Sequence, residues 1–238
     1  MSQQQLNTEI NNALTERVRA RSCEISDGTG NIIKYNEKIY IVTCKHIADD
    51  FFNDNNSYVI LRNNDRIYKN QLEYYNRTKD YLDIALIAVL DSNLVQNYYE
   101  LVDFDAIDDF SKHDFSETNL FICGYPSQIS FTKNSRKNIL YFSYGTLISN
   151  TKLSDDNFIY LSYNRESDSN ITREGLITRL PEARGLSGAF IFKVETFKGK
   201  LTDIWQPSFA KIIAIQTDWN KKNWLKATNI KHLFKLLE

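Results

Sequence analysis

The chain has 238 residues, 42% of them hydrophobic and 25% charged, with a formal net charge of −1 at pH 7. That length can bury a sizeable core as one all-β unit or as two small barrels sharing an interface. The near-neutral balance excludes a general electrostatic pull toward nucleic acid or an anionic membrane, so any partner must be bound by a local site.

Residues 1–20 hold no continuous apolar core of the kind a secretory signal carries, and no run approaches the roughly 18 apolar residues of a membrane span. A cytoplasmic protein is the expectation. Cys23, Cys44 and Cys123 are odd in number and widely spaced, which argues for buried thiols over a disulfide framework or a zinc site.

In chain order, Leu6, Ile10, Leu14 and Val18 recur every fourth position among polar neighbours, which predicts an amphipathic helix packed on the body of the domain. From Ser22 the pattern turns to short β-type runs. Ser22–Ser26 and Asn31–Tyr35 predict strands joined by a bend at Asp27-Gly28-Thr29-Gly30, and Asn36-Glu37 predicts a hairpin turn into a strand over Lys38–Thr43. His46 follows where that strand gives way to a helical turn over Ile47–Phe52. Further strands are predicted over Tyr58–Arg62, Arg66–Lys69, Leu72–Tyr75 and Asp83–Leu90, the last a continuous apolar run opened by one carboxylate. Asp103, Asp105, Asp108 and Asp109 lack metal-loop spacing and read as a solvated connector. Strands resume over Asn119–Gly124, Ile139–Ile148, Phe158–Tyr163, Gly188–Val194 and Ala210–Thr217. Ile230, Leu233, Phe234 and Leu237 then form one face of a closing helix with Thr228 or Asn229 as its cap. Many short strands with polar clusters between them predict an all-β sandwich or barrel.

In Pro181–Phe190 (PEARGLSGAF), Gly185 and Gly188 bracket Ser187. A glycine two places before a serine lets successive backbone N–H groups converge on one concavity, which suits an oxyanion. Alone, the string equally describes a serine in a tight turn before a buried strand. His46 alone is equally a structural histidine, and Asp83 a cap, with Asp80 an available substitute.

Four strings in order change that balance: Gly28-Thr29-Gly30, Thr43-Cys44-Lys45-His46, Asp83-Ile84-Ala85-Leu86 and Gly185-Leu186-Ser187-Gly188. With them the chain resembles the trypsin-like (chymotrypsin-fold) serine peptidases, in particular their bacterial branch without disulfides. Cys123-Gly124-Tyr125-Pro126 is similar to the Gly-Tyr-Pro early in the second barrel of such enzymes, and the closing helix is also like the family's.

The resemblance implies two six-stranded-type antiparallel β-barrels with an N-terminal amphipathic helix (residues 1–20) and a C-terminal helix. The first barrel, residues 21–108, would carry His46 and Asp83, and the second, residues 109–238, Ser187. The implied activity is serine endopeptidase: Ser187 Oγ attacks a peptide carbonyl, His46 takes and returns its proton, Asp83 holds the imidazole, and the backbone N–H groups of Gly185 and Ser187 hold the oxyanion. Neither cofactor nor metal is implied. The floor of the first substrate pocket would lie near Pro181 beside Glu182 and Arg184, facing a wall from Gln216, Thr217 and Asp218 to Trp219; Glu182 or Asp218 there would favour a basic side chain. Expected partners are a protein or peptide substrate and a regulatory sensor protein, with neither nucleic acid nor membrane.

Two departures stand against the family pattern. Leu186 replaces the aspartate that pairs with a freshly cut N-terminus in many secreted members, so activation of that kind is not expected, and Ala189-Phe190 replaces Gly-Pro. The second departure motivates an alternative, a catalytically inactive peptidase-like module that binds a peptide or partner protein. A third reading makes Cys44 the nucleophile, two residues from His46.

Overall fold

In a computed structural model of the chain, residues 3–95, 99–100, 120–127, 131–133, 136–138, 141–149, 154–166, 169–171, 177–194, 210–221 and 223–238 are described. The first sheet is built from β1 (Ser22–Ile25), β2 (Gly28–Tyr35), β3 (Lys38–Thr43), β4 (Tyr58–Ile60), β5 (Arg66–Tyr68), β6 (Leu72–Arg77), β7 (Ala85–Val89) and β8 (Tyr99–Glu100). Its order is β5-β4-β1-β2-β3-β7-β6, antiparallel throughout, with β8 added parallel to β2. The chain continues through β9 (Leu120–Gly124), a hairpin of β10 (Phe131–Lys133) and β11 (Arg136–Asn138), β12 (Phe142–Thr146) and β13 (Phe158–Ser162). A second hairpin of β14 (Ser169–Ile171) and β15 (Ile177–Arg179) precedes β16 (Phe190–Val194), β17 (Ala210–Trp219) and β18 (Trp224–Asn229). The second sheet runs β12-β9-β16-β17-β18-β13, also antiparallel. Both sheets curl into half-barrels.

Three α-helices and two short 3-10 turns complete the chain among the described residues, the α-helices being α1 (Gln3–Arg19), α2 (Lys45–Asn53) and α3 (Lys231–Leu237). Ile10, Leu14 and Val18 of α1 are buried in one core cluster with Ile230, Leu233 and Leu237 from the closing segment. The same cluster takes Tyr40, Val42 and Leu86 from the first sheet and Phe121, Phe190 and Phe192 from the second. The two terminal helices therefore seal the seam between half-barrels.

Strands near the seam bury both faces, which explains their continuous apolar runs. In β3, Ile39 and Ile41 face the first half-barrel's interior while Tyr40 and Val42 face the seam. In β16, Phe190 and Phe192 face the seam and Ile191 the second interior. An alternating side-chain direction with apolar residues on both faces gives no polar-out signal in the sequence.

Two expectations change. Gly28–Gly30 are strand residues, and the turn lies earlier, at Ser26-Asp27, with Ser26 at φ 50°. The glycines are there for space: a Cβ on Gly30 would come within 2.6 Å of Ile41 and 2.7 Å of the Cys23 sulfur. β18, which lies between β17 and β13, is not expected from the sequence. Of the two caps expected for α3 it is Asn229 that serves, its Oδ1 accepting from the Lys231 N–H at 2.9 Å. The Asn36-Glu37 turn is as expected, both residues lying at positive φ (47° and 62°), the geometry of a two-residue hairpin. The connector aspartates Asp103, Asp105, Asp108 and Asp109 lie outside the described residues, as does the side chain of Leu6.

Candidate active site

His46, Asp83 and Ser187 each lie just beyond the end of a strand that lines the seam. β3 and β7 pair antiparallel with Thr43 opposite Ala85, so the residues after one and before the other emerge at the same edge. Asp83 sits at φ 57°, a left-handed conformation that aspartate tolerates. Its own N–H donates to Lys79 O at 3.3 Å and its carbonyl accepts from the Lys45 N–H at 3.2 Å, while the next residue, Ile84, exchanges bonds with Thr78.

From there both oxygens of Asp83 serve one residue. Oδ1 accepts from the His46 backbone N–H at 3.0 Å, in the first turn of α2, and Oδ2 lies 2.6 Å from His46 Nδ1. A carboxylate partner puts the ring hydrogen on Nδ1 and leaves the Nε2 lone pair outward. The imidazole is half-exposed. Partial burial alone would lower its pKa, but the hydrogen bond and charge of Asp83, with the charges of Asp50 and Asp218, outweigh that and shift it above the ordinary value of 6.5.

The Ser187 loop is held from outside. Leu186 N–H donates to Ala183 O at 2.9 Å and Ala189 N–H to Leu186 O at 2.8 Å. The Arg184 carbonyl is tied back by the Ser127 N–H (2.8 Å) and hydroxyl (3.1 Å), which turns the N–H of Gly185, on the same peptide plane, the opposite way. Among the described residues, neither the Gly185 N–H nor the Ser187 N–H has an acceptor, although the Leu186 N–H between them does. Gly185 (φ 96°) and Gly188 (φ 95°) make the loop possible. A Cβ on the first would meet Tyr125 O at 2.3 Å, and on the second Thr29 O at 2.0 Å.

β2 clamps this loop to the first sheet through side chains to which the sequence assigns no role, although Thr29 and Thr43 lie within two of the four strings. Thr29 Oγ1 donates to Gly185 O at 2.7 Å and accepts from the Tyr125 N–H at 3.0 Å, and its own N–H donates to Ser187 O at 2.8 Å. Buried Asn31 donates from Nδ2 to Gly188 O at 2.7 Å, and Thr43 Oγ1 to Thr29 O at 2.9 Å. A threonine and an asparagine on a buried strand are the available signal: a polar residue there must find a partner. The Gly188 N–H donates to Gln216 O at 2.8 Å, and the Cys44 thiol donates to the same carbonyl at 3.2 Å. The turn that carries His46 and the loop that carries Ser187 thus meet across the seam. No hydrogen bond joins the Ser187 hydroxyl to His46 or to any other described residue; in ligand-free sites such bonds are often long and close on substrate.

Cys44 is fully buried. Burial, reinforced by the charge of Asp83 and only partly offset by the Gly188 backbone, pushes its thiol well above the ordinary value, so it stays protonated, which argues against Cys44 as nucleophile. Cys44 Sγ, His46 and Asp83 place ligand atoms within 4.8 Å of one another, the one such trio among the described residues. Nδ1 is already bonded to Asp83 and the thiol to Gln216, so the trio is satisfied without an ion. Cys23 and Cys123 are likewise free and buried.

Of the residues expected at a substrate pocket, Pro181 is buried with its carbonyl accepting from the Tyr163 hydroxyl at 3.0 Å. Glu182 pairs with Arg165 (3.4 Å) and Arg184 with Asp27 (2.8 Å). Gln216 and Thr217 are buried, the Thr217 hydroxyl 3.3 Å from that of Thr228, and Asp218 is exposed.

No protein-family model and no curated protein matches the chain. Solved structures do. A variant of human heparin binding protein aligns at 12% identity over 92% of this chain and 90% of that one, with a TM-score of 0.55. A scabies mite inactivated protease paralogue aligns at 10% identity over 92% of each chain, with a TM-score of 0.52. A chain from a structure concerned with the coupled folding and binding of the Sesbania mosaic virus VPg protein aligns at 12% identity over 90% and 87%, with a TM-score of 0.50. Two curled antiparallel half-barrels with a closing helix define a chymotrypsin-like fold. The likeness is one of fold, and a protease described as inactivated is among the structural neighbours.

Proposed function

We propose that this protein is a serine endopeptidase of the trypsin-like class, close to the bacterial branch that lacks disulfides, cutting protein substrates through an acyl-enzyme on Ser187. The observation that carries the reading is the pair of unmet amides: among the described residues neither the Gly185 N–H nor the Ser187 N–H has an acceptor, while the Leu186, Gly188 and Ala189 amides and the Arg184, Gly185 and Ser187 carbonyls of the same loop are all bonded. Orphaned donors in a buried loop are rare unless a ligand supplies the acceptor, and an oxyanion beside a serine hydroxyl is such an acceptor. His46, held by Asp83 with Nε2 outward, supplies the base. In the acylation step the Ser187 proton passes to Nε2 as Oγ bonds to the carbonyl carbon; the C–N bond then breaks as the imidazolium gives that proton to the leaving amine. Water repeats the sequence to release the acid.

Turnover of a protein-derived peptide library, read by mass spectrometry, tests this. Wild type is expected to give discrete internal cleavages that vanish in Ser187→Ala. A second reading, binding without cleavage, is favoured by the Ser187 hydroxyl having no bond to His46; peptide affinity unchanged by Ser187→Ala with no cleavage by either form would establish it and defeat the first.

A further inference from the structure

The main-chain bonds Gly188 N–H to Gln216 O and Gln216 N–H to Ala189 O run the last part of β17 alongside the Ser187 loop. A side chain on the acyl side of a scissile bond held at the Gly185 and Ser187 amides would enter between this strand and the segment 180–184. β17 has a bulge there: Gln216 pairs with Ala227 and Asp218 with Lys226, leaving Thr217 over. An extra residue reverses the in-and-out alternation beyond it. Asp218 accordingly faces solvent, and Trp219 turns inward onto the cluster that contains Tyr163, Leu180, Ala183 and Leu186.

We propose that the Trp219 indole fills the pocket beside Ser187, so that the site accepts glycine, alanine or serine on the acyl side of the cut and rejects long, aromatic or charged side chains. This rests on the cleft being a peptide site, as argued above. Of the charges nearby, Glu182 is paired with Arg165 and Arg184 with Asp27, and Asp218 faces solvent with Oδ1 accepting from the Trp219 N–H at 2.7 Å. Among the described residues the indole is held by apolar packing, and Trp219 Nε1 is buried without a hydrogen-bond partner. Truncating it therefore orphans no polar group.

Peptides identical except at the acyl-side residue test the assignment, with Trp219→Leu as a milder truncation beside Trp219→Ala. Wild type should cleave after alanine or serine and not after phenylalanine or arginine. The kcat/KM ratio of phenylalanine to alanine peptide should rise at least about 100-fold in Trp219→Ala, with Trp219→Leu between, because pocket fit discriminates side chains on this scale. The same peptides titrated by calorimetry against Ser187→Ala, with and without Trp219→Ala, read the pocket without turnover. A binding switch with no cleavage by wild type would sink the peptidase reading and leave the filled pocket standing. Equal wild-type acceptance of alanine and phenylalanine, or a preference that neither truncation moves in cleavage or binding, would overturn the filled pocket.

Discussion

Thr29 is the side chain on which the candidate oxyanion site hangs, and Thr29→Val removes its hydroxyl at nearly constant volume. Two buried groups then lose their partner at once: the Gly185 carbonyl, 2.7 Å away, and the Tyr125 N–H, 3.0 Å away. Each orphaned group costs about 1–3 kcal/mol, so after the added methyl's apolar gain the variant should be less stable by about 2–4 kcal/mol. The rate should suffer too, because Gly185 O belongs to the loop that aims the Gly185 and Ser187 amides. Full loss of an oxyanion donor lowers kcat about 100- to 1,000-fold, so a loosened one should lower it about 10- to 100-fold with KM kept. Urea denaturation gives the first number and steady-state peptide kinetics the second, with Thr29→Ser as the hydroxyl-retaining control. A Thr29→Val protein with wild-type stability and kcat would refute the clamp.

Asp83→Asn should lower kcat by about 10,000-fold with little change in KM, since an amide cannot hold the proton on Nδ1; a drop below tenfold would remove Asp83 from the machinery. Because His46 acts as base only when neutral and Asp83 raises its pKa above 6.5, kcat/KM should climb with pH through an inflection above that value; an inflection below 6.5 contradicts the pair. Gly188→Ala should unfold or strongly destabilise the protein, because its Cβ would lie 2.0 Å from Thr29 O and the backbone sits at φ 95°, and a thermal scan matching wild type would count against that packing. His232, its ring 3.0 Å from Asn157 Oδ1, is pulled from 6.5 down to about 4 by burial and then by Lys231 and Lys235. Below pH 6.5 the unfolded chain takes up that proton first, so stability is intact above 6.5 and falls as pH drops toward 4. A loss on the order of 1–2 kcal/mol, or about 2–8 °C in Tm, should be absent in His232→Gln; identical acid profiles would show the ring is not the sensor.

The strand periodicity made an all-β sandwich or barrel legible, because β-branched runs punctuated by polar turns have few other packings; the division into two barrels was implied only by the family resemblance that the four ordered motifs carry. β18 escaped notice since Trp224-Leu225-Lys226-Ala227-Thr228-Asn229 interleaves small and basic residues; its place is set by pairing with β17 and β13, which no local pattern encodes. Gly28 and Gly30 were misread for a related reason: a glycine needed for close side-chain packing looks in sequence like a glycine needed for a turn. At the site, residue types suggested which groups could carry chemistry, but not the supports. Ser127, Thr29 and Asn31 act through backbone atoms more than fifty residues away in sequence for the first, and farther still for the others. Such long-range bonds leave no spacing to read. The Thr217 bulge, which leaves Asp218 in solvent and Trp219 on the second core cluster, is equally silent until the partner strand is in place.

Intact-mass spectrometry after exposure to a fluorophosphonate tests the central claim most directly, because the reagent reports a serine made nucleophilic without requiring the right peptide. One adduct per chain, mapped to Ser187, abolished in Ser187→Ala and slowed in His46→Ala, is the expected result. A wild-type protein that stays unmodified at pH 8 while folded, or that is modified elsewhere, would contradict it.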